Sequence, residues 1–225
     1  MKHITSKQSG FTLVEIAIVL VIIGLLLGGV LKGQEMIESA RIKAVVTDMN
    51  GISAAYNTYF DRYRAIPGDE TGATLTARGW AGAAVGNGNG VLGITLAQTF
   101  TNGGEEAAFW RSLRASGMTS GDAAAPATVA GLPRAGTGGL VGVTMAPFGL
   151  TGPAVCVSGL STKQALGVDT TIDGPLPTTN IGNSVGNARG NTGAANPLAP
   201  TAGAPAGAAY NETTATNPWT MCRAI

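Results

Sequence analysis

The first residue able to do chemistry is a lone carboxylate. Glu15 lies in the run FTLVEIAIVLVIIGLLLGGVL, where only it and Thr12 interrupt the apolar character. A charge in a low-dielectric medium needs a cation or donors close by. Cutting the chain at Gly10–Phe11, where a short polar leader meets the apolar run, would release such a cation: an α-amine with an ordinary pKa near 8. Within one straight helix that amine points away from Glu15. A neighbouring molecule displaced along the helix axis could instead bring its amine to this carboxylate, satisfying the pair only in an assembly. The alternative is an interfacial residue, about 6 Å from the helix end, that snorkels to the headgroups.

Two further sets could bond or bind. Cys156 and Cys222 are the only cysteines. An even count suits a disulfide in an oxidising compartment, and two unpaired thiols are the alternative. The bridge would close a loop of about 65 residues and contribute roughly 4 kcal/mol, chiefly through the denatured chain. Asp69, Glu70, Asn87 and Asn89 offer oxygens that calcium could use. Their spacing is not that of an EF-hand, and plain turn residues are the alternative.

Much chemistry is excluded. GNGVLG fits G-x-G-x-x-G through Gly88, Gly90 and Gly93, but no strand precedes it and no helix follows, so it reads as a glycine-rich loop. The chain contains no P-loop pattern. His3 is the only histidine; if the leader is removed, the rest holds neither a Ser-His-Asp triad nor a histidine-ligated metal. Asp122, Asp169 and Asp173 are scattered acids without visible partners. A formal net charge of +1 offers no basic face, so no nucleic acid is expected. No enzymatic activity and no cofactor are expected, calcium being the one weak candidate.

The element that must position Glu15 is the run itself. From Phe11 to Leu31 it spans roughly 31 Å as a helix, enough for a bilayer core. A buried helix of a soluble protein is the alternative. Lys2, His3 and Lys7 precede it and hold the N-terminus cytoplasmic, while Lys32, Arg41 and Lys43 on the far side are mixed with Glu35 and Glu38. A removable secretory signal would be cut after the apolar region; there only Ala40 offers a poor site, and the better one lies in front, at Gly10–Phe11.

These residues carry a resemblance. GFTLVEIAIVLVIIGLLLGG resembles the N-terminal class III signal of type IV prepilins and type II secretion pseudopilins. The resemblance implies that a prepilin peptidase cuts after Gly10 on the cytoplasmic side and N-methylates Phe11, which leaves the amine cationic. It also implies that Thr12 and Glu15 belong to subunit assembly. Many major pilins carry a proline near the membrane exit, where Lys32 and Gly33 stand here, and this departure points away from a major pilin.

Beyond the run the apolar residues Ile42, Val45, Met49, Ile52, Tyr56, Tyr59 and Tyr63 alternate three and four apart, the stripe of an amphipathic helix. AIPGD ends it, so one helix of about 80 Å is predicted from Phe11 to about Arg64. Its stripe needs a cover, which the C-terminal region folded back as a sheet would supply; a coiled-coil dimer is the alternative. Gly24, Gly28, Gly29 and Gly33 permit close helix contact or mark a segment able to unwind. Later residues are rich in Gly, Ala, Thr and Asn and predict long loops. TGATLTARGWAGAAVGNGNGVLG reads as loop, GEEAAFWRSLRASGM as a short helix presenting Phe109, Trp110 and Leu113, and Val141–Thr144 and Ala154–Val157 as strands. The stretch from Pro177 to Thr214 reads as low in complexity and exposed. The P-G-D turn, the Gly-Asn-Gly loop, the E…FW…L…G helix, the segment at Asp173–Gly174 and the late cysteine are similar to a pilin-like group of Gram-negative bacteria, as is a disulfide near the C-terminus.

The expected architecture is α+β and pilin-like, a long N-terminal helix packed on a C-terminal antiparallel sheet with large loops. Residues 1–10 form the leader, 11–31 a transmembrane helix, 32–64 its amphipathic continuation and 65–225 an exported globular domain. The resemblance implies a minor pilin or pseudopilin. Its partners are then other such subunits, prepilin peptidase, an inner-membrane assembly platform and membrane lipid. The chain would lie in the inner membrane with a periplasmic domain, then in a filament. The alternative is a single-pass anchored ligand-binding or adhesin module that does not polymerise.

Overall fold

The computed structural model describes residues 10, 12–80, 82, 84–175, 184–205, 210 and 217–225. The elements are helix α1 (Leu13–Tyr63), α2 (Gly72–Ala77), α3 (Glu105–Ala115), strand β1 (Val141–Met145), β2 (Pro153–Leu160), helix α4 (Thr162–Asp173), and strands β3 (Ala188–Thr192) and β4 (Trp219–Ala224), with short 3-10 turns between them. The chain divides into two compact units, residues 1–40 and 41–225.

In the first unit the described residues are helical from Leu13 onward, and their large apolar side chains are exposed, Leu13 at 91 % and Leu25 at 74 %. An 18-residue window of α1 reaches a mean hydropathy of 2.8, long and apolar enough to cross a membrane. The helix is apolar all round here, so no single face is marked for a core.

In the second unit the stripe meets its cover. Val45, Met49, Ile52 and Tyr59 are buried, and Ile42, Tyr56 and Tyr63 are half-buried against the same cluster. That cluster also holds Phe109, Trp110 and Leu113 of α3 and Val143, Val155, Val157 and Met221 of the sheet. The α+β, pilin-like arrangement is therefore present: a long N-terminal helix on a four-stranded antiparallel sheet.

The sheet order is β1-β2-β4-β3, with all three pairings antiparallel. The last strand thus lies in the middle, between β2 and β3. Cys156 and Cys222 face each other directly across β2 and β4. Their Cα atoms lie 4.0 Å apart and the two residues form a disulfide. Such closeness belongs to a non-hydrogen-bonded cross-strand pair, where side chains approach most nearly. The bond ties β4, 66 positions later in the chain, to the centre of the sheet.

The outer edge of β1 is closed by side chain and loop rather than by another strand. The Val141 N–H donates to the Pro133 carbonyl at 2.9 Å. The Val143 N–H donates to Oε1 of Glu106 at 3.4 Å, and the Asn102 N–H donates to Oε2 of Glu106 at 2.7 Å. Glu106 is fully buried on α3 and so joins helix, edge strand and the Asn102 turn. At Gly142 a Cβ would fall 1.7 Å from the Thr99 carbonyl; only glycine lets that turn lie against the strand.

Two expectations from sequence need correction. The segment read as loop after Pro67 contains α2, capped by Thr71. The stretch read as exposed contains β3, whose Ala188 is 1 % exposed. Its inward-facing residues, Ala188 and Gly190, are too small to mark an apolar face, and the partner strand supplies the definition. Helix α4, for which no expectation was stated, starts at a reciprocal capping box of Ser161 and Gln164.

Two predictions come from this packing. Replacing both cysteines by serine removes the link between β2 and β4 and should cost about 2–5 kcal/mol in urea unfolding, a loss that reduction of the wild type should reproduce. The second concerns pH. Burial pushes the Glu106 carboxyl up to about 8, against the hydrogen bonds from the Asn102 and Val143 amides. A raised carboxyl binds its proton more tightly folded than unfolded, so its contribution is complete below about pH 4.5 and is lost as pH climbs through 8. Asp169, pushed up to about 6 chiefly by burial, acts in the same direction at lower pH. Glu106→Gln should therefore gain on the wild type as pH rises from 5 to 9; a pH-independent difference in unfolding free energy would contradict this.

Candidate functional site

The candidate site is the head of α1. Thr12 immediately precedes the helix, and its hydroxyl accepts the Glu15 N–H at 3.2 Å. Glu15 replies with Oε2, which accepts both the Thr12 N–H and the Thr12 hydroxyl at 2.8 Å. This is a capping box: each residue satisfies a backbone N–H that a helix start leaves without a partner. Thr12 and Glu15 are thus brought together. Glu15 also stands in the first helical turn, where the helix dipole favours negative charge.

The sequence contained the signal for this. T-L-V-E is the pattern [ST]-x-x-[DE] ahead of an apolar run, so Glu15 has a partner in its own helix start besides any in lipid or another molecule. The cap does not use up the carboxylate. Oε1 has no hydrogen bond among the described residues, so one oxygen holds the helix end while the other can take an external donor. Gly10 is described and exposed. Phe11, named from sequence as the new terminus and methylation site, lies outside the described residues, as do the leader positions 1–9.

Gly24, Gly28, Gly29 and Gly33 follow on α1, and a Cβ at any of them would meet no atom within 4 Å. Among the described residues nothing calls for glycine there, although each costs up to about 1 kcal/mol of helix propensity. Lys32 pairs with Glu35 at 3.1 Å on the exposed surface.

The calcium candidates do come together, but as a turn. Asp69 accepts the Asn89 N–H through Oδ1 at 3.0 Å and the Gly90 N–H through Oδ2 at 2.8 Å. The side-chain oxygens of Asn87 and Asn89 accept the N–H groups of Asn89 and Val91, both at 2.9 Å. These are Asx-type contacts that hold a loop with Gly88 and Gly90 at positive φ. No group of three or more acidic, histidine or cysteine side chains that could hold a metal occurs among the described residues.

A second constellation was not foreseen. At the far end of α1, Arg78 donates through Nη1 to the Tyr59 hydroxyl at 3.0 Å and to Oε2 of Glu70 at 2.5 Å, and the Tyr59 hydroxyl also donates to that oxygen. The guanidinium lies 4.3 Å from the Tyr63 ring centre and 5.6 Å from that of Trp80. Burial and the Glu70 carboxylate push the Tyr59 hydroxyl well above the usual phenol range, so it stays a donor. Tyr59 and Arg78 stand 19 positions apart and the group shares no motif, so only folding joins it.

The comparisons bear on the head of α1. No curated protein and no solved structure matches the chain. Residues 5–31 match the family model of the prokaryotic N-terminal methylation motif, the class III signal of type IV pilins, so the chain carries that motif across its leader and the apolar first part of α1.

Proposed function

We propose that this chain is a structural subunit, a minor pilin or pseudopilin, of a type IV pilus-like or type II secretion filament. The methylation motif makes it a candidate pilin-like precursor anchored through α1. The observation that carries the finer reading is Glu15 itself: a carboxylate on an exposed apolar helix, held by its own cap through one oxygen and open at the other. In this proposal prepilin peptidase cuts after Gly10 and methylates Phe11. The apolar segment 11–31 is stored in the inner membrane, with 32–64 continuing the helix and 65–225 exported. A neighbouring subunit's Phe11 ammonium then meets Glu15 Oε1. A pair satisfied only between subunits favours association and sets the axial step, because a lone charge in lipid costs a few kcal/mol. No catalysis enters this role.

Glutamine isolates the charge from the cap, since its side-chain oxygen can still accept the Thr12 N–H. Glu15→Gln is expected to insert and be cleaved normally, and to be incorporated into filaments at a small fraction of the wild-type level. Thr12→Val should loosen the helix start by about 1 kcal/mol and reduce incorporation less. Mass spectrometry of membrane-derived protein should find methyl-Phe11 as the first residue. Wild-type incorporation of Glu15→Gln would end the pairing proposal; an uncut Met1 would instead favour a simple anchor.

A further inference from the structure

At the C-terminal end of α1 a cleft of about 570 Å³ lies within the second unit, lined by Phe60, Tyr63, Arg64, Thr71, Thr74 and Arg78 among others. That volume is in the range of small-molecule sites. The two acids in its lining, Asp69 and Glu70, turn inward, although Oε1 of Glu70 is buried without a hydrogen bond among the described residues. Both Asp69 oxygens hold loop amides, and Glu70, 6 % exposed, is bound to Arg78 and Tyr59. What remains open is cationic. Arg78 uses only Nη1, so Nε and Nη2 have no partner among the described residues. Its side chain is 21 % exposed and held rigidly among aromatic rings, which removes much of the entropy lost on binding.

Arg64 adds a second, independent observation. It takes φ 52°, the left-handed conformation that closes a helix, and its N–H donates to the Phe60 carbonyl at 2.8 Å. Glycine is the favoured residue there and arginine is strained. Among the described residues nothing recovers that strain: the Arg64 side chain is 78 % exposed, with one loose contact to Asp61 at 3.8 Å. An exposed arginine in a glycine position at the mouth of a cleft is placed for something outside the chain. Phe60 beside it is 42 % exposed and stacks on no other ring among the described residues, so it offers a free flat face.

We propose that this cleft binds a carboxylate-bearing small molecule, with the carboxylate taken by Arg64 and the open arm of Arg78 and a flat apolar body laid on Phe60. A guanidinium fork matches a carboxylate in geometry and charge. The site is independent of the assembly proposal, since it uses no residue of the first unit.

The test uses the full chain in detergent micelles with benzoate as the probe and benzamide as its uncharged counterpart. Binding is read by titration calorimetry and by the fluorescence of Trp80, whose ring lies 5.3 Å from Tyr63. Benzoate should bind and benzamide should not. Arg64→Gly should weaken benzoate at least about tenfold while raising the melting temperature by about 2–4 °C, because it relieves the left-handed strain. Phe60→Ala should weaken benzoate with little change in melting temperature. Equal binding of benzoate and benzamide, no benzoate binding, or undiminished benzoate binding by a folded Arg64→Gly would each overturn the proposal.

Discussion

Everything in this structure depends on one helix having to satisfy two different surroundings. The first part of α1 is apolar on all sides, while the second has a single apolar stripe. An all-round apolar helix gains nothing from one covering face; it needs lipid or other helices on every side. A striped helix gains only from a one-sided cover. The sheet, the disulfide and the buried Glu106 serve that cover, and the capped Glu15 serves the other part.

The covered part shows how a chain with few bulky side chains still builds a core. Aromatic and large apolar residues are gathered where α1, α3 and the sheet meet: Tyr59, Phe109, Trp110 and Met221 are all fully or nearly fully buried. Elsewhere, small residues let backbones approach, as at Gly142, and backbone-to-side-chain hydrogen bonds replace apolar contact, as at Asp69 and Glu106. The disulfide belongs to the same logic. It secures a strand that follows a long segment of low apolar content, whose return would otherwise carry a large entropic cost.

Under the proposed function, Glu15 would hold a structural and an assembly role together. Its Oε2 closes the helix start with Thr12, which fixes the carboxylate's position before any partner arrives. In the proposed filament that fixed position matters as much as the charge, because a preset acceptor loses little freedom when the ammonium reaches it. Arg64 shows the reverse balance. There a locally unfavourable backbone conformation is retained under a side chain whose one contact among the described residues is a loose one to Asp61, as strained residues at binding sites often are.

Periodicity made the striped part of the long helix and the helix bearing Phe109, Trp110 and Leu113 legible, because burial of one face leaves a repeat that can be counted; the apolar part of α1 and the cores of β1 and β2, buried on both faces, were legible as continuous apolar runs. The T-x-x-E cap was equally legible from local pattern. Tertiary structure alone decided the rest. Strand β3 has no bulky apolar residue on its buried face, only Ala188 and Gly190, and is defined by the hydrogen-bonding groups that β4 offers it. The order β1-β2-β4-β3 depends on a return from the chain's end that no local spacing encodes. The Tyr59–Glu70–Arg78 group and the Arg64 cleft join residues from separate elements, and their chemistry arises from distances that only the folded chain sets.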